Sequence, residues 1–370
     1  MIRLACRNLF QNKVRLIIST GGVALALLLI LALDAIFTGV EQRITAYIDY
    51  SDADIWVSQS DVFNMHMASS FIPDSFVRKV RRVPGVDSVS PILYVTNNVI
   101  AGDERNLAYI IGLPERAEIG GPWNVSFGRS IPQEGEAIMD RGVAGKSGVG
   151  LGDQVEILGE DLEIVGLTEG TASLVNSIAF ISQRDFERLR GSYDTVSFLL
   201  VKVHEGEAPE TVANRIKSRV RDVTVQTREQ FAGQERQVVK DMSTDVVTIM
   251  NLIGLMIGLA VMALTVYTAT LSRRREYGML KALGARNSDL SFTVLAQAML
   301  SVLLGFLFGW SITWLLTLLI PLTDMALTMV INPISLIKVG IASLILAGLS
   351  SMIPIQQIAG LDPAMVFRGQ

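Results

Sequence analysis

Four uncharged runs stand out along this chain, 16–33, 246–271, 290–323 and 339–361, of 18, 26, 34 and 23 residues. About 20 predominantly apolar residues cross the hydrocarbon core of a bilayer as a helix, so each run is long enough for one span. The third exceeds one span but falls short of two with a turn, which predicts a helix followed by an apolar loop. The pattern thus predicts transmembrane helices over 16–40, 246–271, 290–319 and 338–360. These are joined by segments 1–15, 41–245, 272–289, 320–337 and 361–370.

Within 41–245 the periodicity is mixed. Residues 53–58 suit a short strand, and 74–83 place Phe76, Val80 and Val83 at helical spacing before Pro84-Gly85. Residues 93–101 and 106–112 flank Gly102-Asp103, a hairpin signal. Residues 154–158 and 162–167 flank Gly159-Glu160-Asp161, a second one. Ser182 is placed to cap a helix through Arg190, ahead of a strand over 195–203. A helix over 208–221 carries Val212, Ile216 and Val220 on one face. Thr227 caps a helix over 228–245 that continues without a break into the second span, and 41–50 extends the first span outward. Two such extensions form a stalk. The fold class is therefore a membrane α-helical protein of four transmembrane helices, with a large extracytoplasmic α+β domain inserted between helices 1 and 2.

Composition agrees: 50% of residues are hydrophobic and 18% charged, with mean hydropathy +0.41. Charge fixes the expected orientation. The first 15 residues carry Arg3, Arg7, Lys13 and Arg15 and no acid. Segment 272–289 carries Arg273, Arg274, Arg275, Lys281 and Arg286 against Glu276 and Asp289. Asp324 and Lys338 are the charges around the 320–337 loop. By the positive-inside rule both termini and 272–289 face the cytoplasm, and 41–245 lies outside. That segment has 31 acids and 21 bases, against 5 and 11 in the remainder, within a net charge of −4. The first run is read as an uncleaved anchor, because it is long for a signal peptide and lacks small-residue cleavage spacing before Asp34. Asp34 is read as interfacial, with a proton-relay role as the sharper alternative. Cys6, the only cysteine, leaves the inserted domain without a disulfide.

Enzyme chemistry is not indicated. Residues 140–147 (DRGVAGKS) end like a phosphate-binding loop, but Asp140 replaces the first glycine and would repel phosphate. They are read as a short helix leading to the 148–152 turn. His66 and His204 lack neighbouring ligand spacing, so no metal site is expected. The arginine triplet is a positive-inside anchor. Beyond it, Met279, Leu280 and Leu283 are read as one apolar face, Lys281 points elsewhere, and Gly284 offers a helix stop. Such a face suits a groove in another protein.

The pattern Glu276-x-Gly278-x-Leu280-Lys281-Ala282-Leu283-Gly284-Ala285 resembles the coupling segment of MacB/FtsX-like (type VII) ABC transporter permeases. Three further stretches are similar to that family: the opening 7–16 (RNLFQNKVRL) with Gly22-Val23-Ala24, the 150–155 turn (GLGDQV) with Val165-Gly166, and the tail motif Leu361-Asp362-Pro363-Ala364. The opening and the 54–58 strand also resemble DevC-like permeases. The uncharged 355–359 step (IQQIA) departs from the family's basic pattern, so no ionic partner contact carries over to it.

The resemblance implies a permease subunit in a bacterial plasma (inner) membrane, paired with a second copy or a paralogue and clamped by two ABC ATPase subunits. ATP and Mg would be bound by those partners, because these residues carry no nucleotide-binding motif and the protein itself no cofactor. Glu276, Met279, Leu280, Lys281, Leu283 and Gly284 would form the ATPase-coupling site. The implied activity is export or extraction of a lipid, lipoprotein, peptide or drug by mechanical transmission, with a periplasmic adaptor or lipoprotein as a further partner and no nucleic acid. The rival reading is a membrane-anchored sensor or adaptor, or a regulator of cell-wall hydrolases, without transport.

Overall fold

The computed structural model describes residues 13–172, 177–191, 193–323 and 327–360. Cys6, the opening motif through Asn12, Asp324 and the 361–370 tail lie outside them. In chain order the elements are α1 (Lys13–Ile44), α2 (Ala46–Tyr50), β1 (Ile55–Gln59), β2 (Ile72–Pro73), α3 (Ser75–Arg81), β3 (Val86–Ala101), β4 (Glu104–Leu113), β5 (Val125–Gly128), β6 (Glu136–Asp140) and α4 (Arg141–Lys146). Then follow β7 (Gln154–Ile157), β8 (Glu160–Thr168), β9 (Ser177–Ser182), α5 (Gln183–Arg190), β10 (Thr195–Val196), β11 (Phe198–Val203), α6 (Pro209–Arg219) and β12 (Val223–Thr227). The chain closes with α7 (Arg228–Ser272), α8 (Arg274–Ala282), α9 (Asn287–Leu319) and α10 (Pro333–Ala359). Two compact units result. One comprises Met1–Thr38, Ser243–Leu322 and Met329–Gln370; the other comprises Gly39–Met242 and Thr323–Thr328.

The first unit is a helical bundle in which α1, α7, α9 and α10 are long and apolar enough to cross a membrane. With lipid outside, helices gain little from apolar burial and associate through close packing of small residues. A Cβ on Gly254 would stand 2.8 Å from Ile30, and one on Gly258 3.3 Å from Ala26, so α7 lies directly on α1. Gly305 and Gly309 form a G-x-x-x-G pair on α9. A Cβ at Gly309 would meet backbone, 3.1 Å from the Ala24 carbonyl oxygen and 3.2 Å from the Leu28 nitrogen. The helix of the third apolar run, α9, reaches Leu319 and is followed by a single tight turn, Ile320–Leu322. Asn332 caps α10, accepting from Ile334 N at 2.9 Å, and Pro333 takes the first helical position.

The second unit is built on a mixed ten-stranded sheet in the order β12-β1-β11-β3-β4-β9-β6-β8-β5, with β7 pairing β3 and β8. The pairs β4–β9 and β6–β8 are parallel. Strand alternation sends neighbours to opposite faces. In β1, Ile55 and Val57 face one cluster with α3 and α6, while Trp56 faces the other way. In β11, Leu199 and Val201 join the first set, and Phe198 and Leu200 the second. In β9, Ile178 and Phe180 share that second face, whereas Ala179 and Ile181 enter a third cluster with α5.

The Gly102-Asp103 hairpin forms as expected, with Ala101 opposite Glu104. The second hairpin turns one step earlier than expected. Ile157 pairs Glu160, so the loop is Leu158-Gly159, and both residues take positive φ (55° and 91°) as a tight two-residue turn requires. The strand expected over 195–203 is split at Ser197. There the Ser197 Oγ accepts from Tyr94 N at 2.9 Å, and the chain leaves a small β2–β10 ladder for the main sheet. Ser182 caps α5 by accepting from Asp185 N at 3.0 Å. The outward extension of the first helix is interrupted at Thr45 (φ −90°, ψ 0°), so α2 is a separate turn.

Candidate coupling segment and stalk anchors

A single residue, Arg273, separates α8 from the end of α7, and the stop of α8 is a double hydrogen bond. Ala285 N donates to Leu280 O at 3.0 Å and Gly284 N to Lys281 O at 3.0 Å, with Gly284 at φ 94°. This is the paired closure that glycine permits at a helix C-terminus. Glu276 sits in the first turn, 3.5 Å from Arg273 Nη1, with its side chain 60% exposed. Met279 and Leu283 are 43% and 85% exposed. Positions 276, 279 and 283 share one helix face by their spacing of three and four.

Leu280 departs from that face. It packs against the bundle core beside the buried Tyr277, so the expected three-residue apolar face is divided between surface and interior. Burial raises the Tyr277 phenol above its ordinary range, opposed by Arg273 and assisted by Glu276. Lys281 reaches the end of α10, its Nζ donating to the Ala359 carbonyl at 2.9 Å. It thereby satisfies one of the carbonyls left open at the end of α10.

In the inserted domain the first turns of α7 and the short α2 supply aromatic anchors to one face of the sheet. Thr227 and Gln230 form a reciprocal cap: Gln230 N donates to Thr227 Oγ1 at 3.3 Å, and Thr227 N to Gln230 Oε1 at 3.1 Å. One turn on, the fully buried Phe231 stacks on Trp56 (centroids 4.7 Å, 12°) and meets Phe198 edge-on at 5.8 Å. From the other side α2 contributes Tyr47 and Ile48 to the same cluster. Tyr47 lies edge-on to Trp56 at 5.9 Å, and its hydroxyl donates to Gly120 O at 2.9 Å. Burial drives the Tyr47 phenol far above its usual range. Further along the helix, Lys240 of α7 approaches Glu41 of α1 at 3.9 Å. From the cap at Thr227 to Ser272, α7 is one unbroken helix of 45 residues, about 68 Å long at 1.5 Å per residue.

A model of the MacB-like periplasmic core domain matches residues 16–219, and one of the FtsX-like permease C-terminal region matches 248–363. The chain belongs to the MacB/FtsX-like family of ABC transporter permeases. The permease is 24% identical over 312 residues to an uncharacterized ABC transporter permease of Methanocaldococcus jannaschii, covering 78% of this chain and 76% of the relative. It is 22% identical over 372 residues to one of Mycobacterium bovis, covering 100% of both. Among solved structures, the periplasmic region of MacB from Actinobacillus actinomycetemcomitans aligns with TM-score 0.38 at 12% identity, over 50% of this chain and 93% of that one.

Sequence reasoning missed Glu235 of the permease. It is fully buried, and its carboxylate accepts from Met65 N and is hydrogen-bonded with His66 Nδ1. These bonds fasten the β1–β2 connection to the first turns of α7. His66, read as isolated, thus has a partner 169 positions away, a distance that no local pattern signals. Tyr94 is raised chiefly by burial, with the Thr96 hydrogen bond opposing and the Glu235 charge assisting.

The phosphate-loop look-alike resolves as a cap. Asp140 Oδ1 accepts from Gly142 N at 2.8 Å, and Oδ2 from Thr171 N at 2.9 Å, Thr171 Oγ1 at 3.0 Å and Ala172 N at 3.1 Å. A carboxylate with both oxygens so engaged organises its own backbone and leaves no cradle for phosphate. Among the described residues no grouping of three or more His, Cys, Asp or Glu could hold a metal ion.

Proposed function

We propose that this ABC transporter permease works as a mechanical transmitter: a separate ATPase dimer engages α8, and its ATP-driven closure moves the inserted domain through α7. The observation that carries this reading is the unbroken α7, which runs from a first turn holding Phe231 in the domain's aromatic core to Ser272 just before α8. A continuous helix passes displacement along its axis without a joint. α1 supports the same reading more weakly, because it breaks at Thr45. The inserted domain lies outside a bacterial plasma membrane, by the distribution of basic residues. A second permease copy or paralogue completes the complex, with a periplasmic adaptor or lipoprotein as a further partner. The cargo class is a lipid, lipoprotein, peptide or drug moved outward or extracted. The ATP and Mg belong to the ATPase.

In this scheme Glu276, Met279 and Leu283 meet the ATPase, while Leu280 and Lys281 hold α8 to the bundle and Gly284 ends it. Burying Met279 and Leu283 in a groove contributes roughly 1.5–3 kcal/mol each. Met279→Asp with Leu283→Asp should therefore weaken ATPase binding by about a hundredfold or more. The double variant should insert and fold, yet lose the ATPase on co-purification. Retention of the ATPase with full activity would reduce α8 to a membrane-surface anchor.

A further inference from the structure

We propose that Arg43 is a positioning residue that clasps the end of α1 to the α9–α10 connection and to the β8–β9 turn, so that displacement of α1 reaches the β6–β8 part of the sheet. The proposal rests on the mechanical reading above and adds a second route to it.

Arg43 lies in the last turn of α1. Its Nη1 donates to Gly170 O at 2.7 Å, and its Nε to Thr328 Oγ1 at 3.0 Å. Two donors of one rigid guanidinium thus hold two segments far apart in sequence. Both acceptors are neutral, and among the described residues no carboxylate pairs with Arg43. The contact is therefore directional rather than a charge contact, and an ammonium with its single nitrogen cannot reproduce the fork. Two residues beyond Thr328, Val330 N donates to Ala35 O at 2.9 Å, a second tie between this connection and α1.

Residues 170–172, which receive Arg43, are held from both sides. Gly170 has φ 80°, and a Cβ there would stand 3.2 Å from Arg43 Nη1. Beyond it Thr171 and Ala172 are pinned by the buried Asp140 at the end of β6. Before it Thr168 of β8 bonds Met139 O of β6 at 3.2 Å through its hydroxyl. A pull on Gly170 therefore falls on two paired strands and not on slack chain. The clasp also stands one residue before the end of α1, just ahead of the break at Thr45. Direct helical transmission stops there, so a side-chain fastening has work to do at that point.

The test uses the permease assembled with its ATPase, nitroxide-labelled at Asn287→Cys and Asp161→Cys in a Cys6→Ser background. Electron–electron distance measurements with and without ATP read the displacement of the inserted domain. Arg43→Lys and Thr328→Val should each shrink the ATP-driven shift by roughly twofold or more, with assembly and ATP hydrolysis retained. Thr328→Ser, which keeps the hydroxyl, should preserve it. A packing role for Thr328 makes the opposite demand, since valine keeps the shape and serine loses the methyl. A full shift in both Arg43→Lys and Thr328→Val overturns the clasp while leaving the mechanical reading in place. No ATP-driven shift in the unsubstituted complex overturns the mechanical reading, and the clasp with it.

Discussion

Phe231 is the sharpest test of the stalk anchor. Replacing it with alanine empties a fully buried position that stacks on Trp56 and touches Phe198 edge-on. Large-to-small changes of this kind cost about 3–5 kcal/mol, depending on how far the site can collapse. Collapse is restricted here. The reciprocal Thr227–Gln230 cap fixes the helix start below Phe231, and Glu235 holds the β1–β2 connection one turn above. The cost should therefore fall in the upper half of that range. For a domain of this size each kcal/mol shifts the melting midpoint by about 2–4 °C, so the domain transition should drop by roughly 8–20 °C. Intrinsic fluorescence of the full permease, with Trp310→Phe and Trp314→Phe leaving Trp56 and Trp123 as reporters, follows that transition. Phe71→Ala, at a position 52% exposed, is the control and should stay within about 0.5 kcal/mol. If Phe231→Ala melts no lower than the Phe71 control, α7 is not anchored in the core as argued.

Two further outcomes are expected. Gly309→Leu on α9 would force backbone apart at Ala24 and Leu28 and cost about 1–3 kcal/mol; Gly348→Ala, where a Cβ meets open space, should be neutral or mildly stabilising. Thermal stability in detergent separates the two, and equal behaviour would contradict close α1–α9 packing. Alkaline pH gives the other. Burial raises both Tyr47 and Tyr94, so the folded domain keeps phenol protons that the unfolded chain releases. Their contribution is fully present below about pH 10, the unfolded value, and is lost as pH rises beyond it towards the folded values. The midpoint should fall above that pH, and Tyr47→Phe with Tyr94→Phe should flatten the fall; an unchanged slope would remove these phenols as its cause.

What the sequence determined by itself is what near neighbours in the chain decide. Four apolar runs specify four helices because a run of this length satisfies its own backbone in lipid by coiling into one. Thr227 three residues before Gln230, Ser182 before Asp185, and Gly284 after Ala282 mark helix ends through hydrogen bonds spanning three to five residues. Gly102-Asp103 sets its hairpin for the same reason. Only the tertiary structure decided which side of α8 is free, because Tyr277 and Leu280 on one side and Met279 and Leu283 on the other are all candidates by hydrophobicity. The bundle core takes the first pair. It alone brought Glu235 to His66 and Arg43 to Gly170 and Thr328, across 169, 127 and 285 positions. The sheet order was equally hidden. β1, β9 and β11 are buried on both faces, so their apolar runs carry no alternation to show which neighbour each strand would choose.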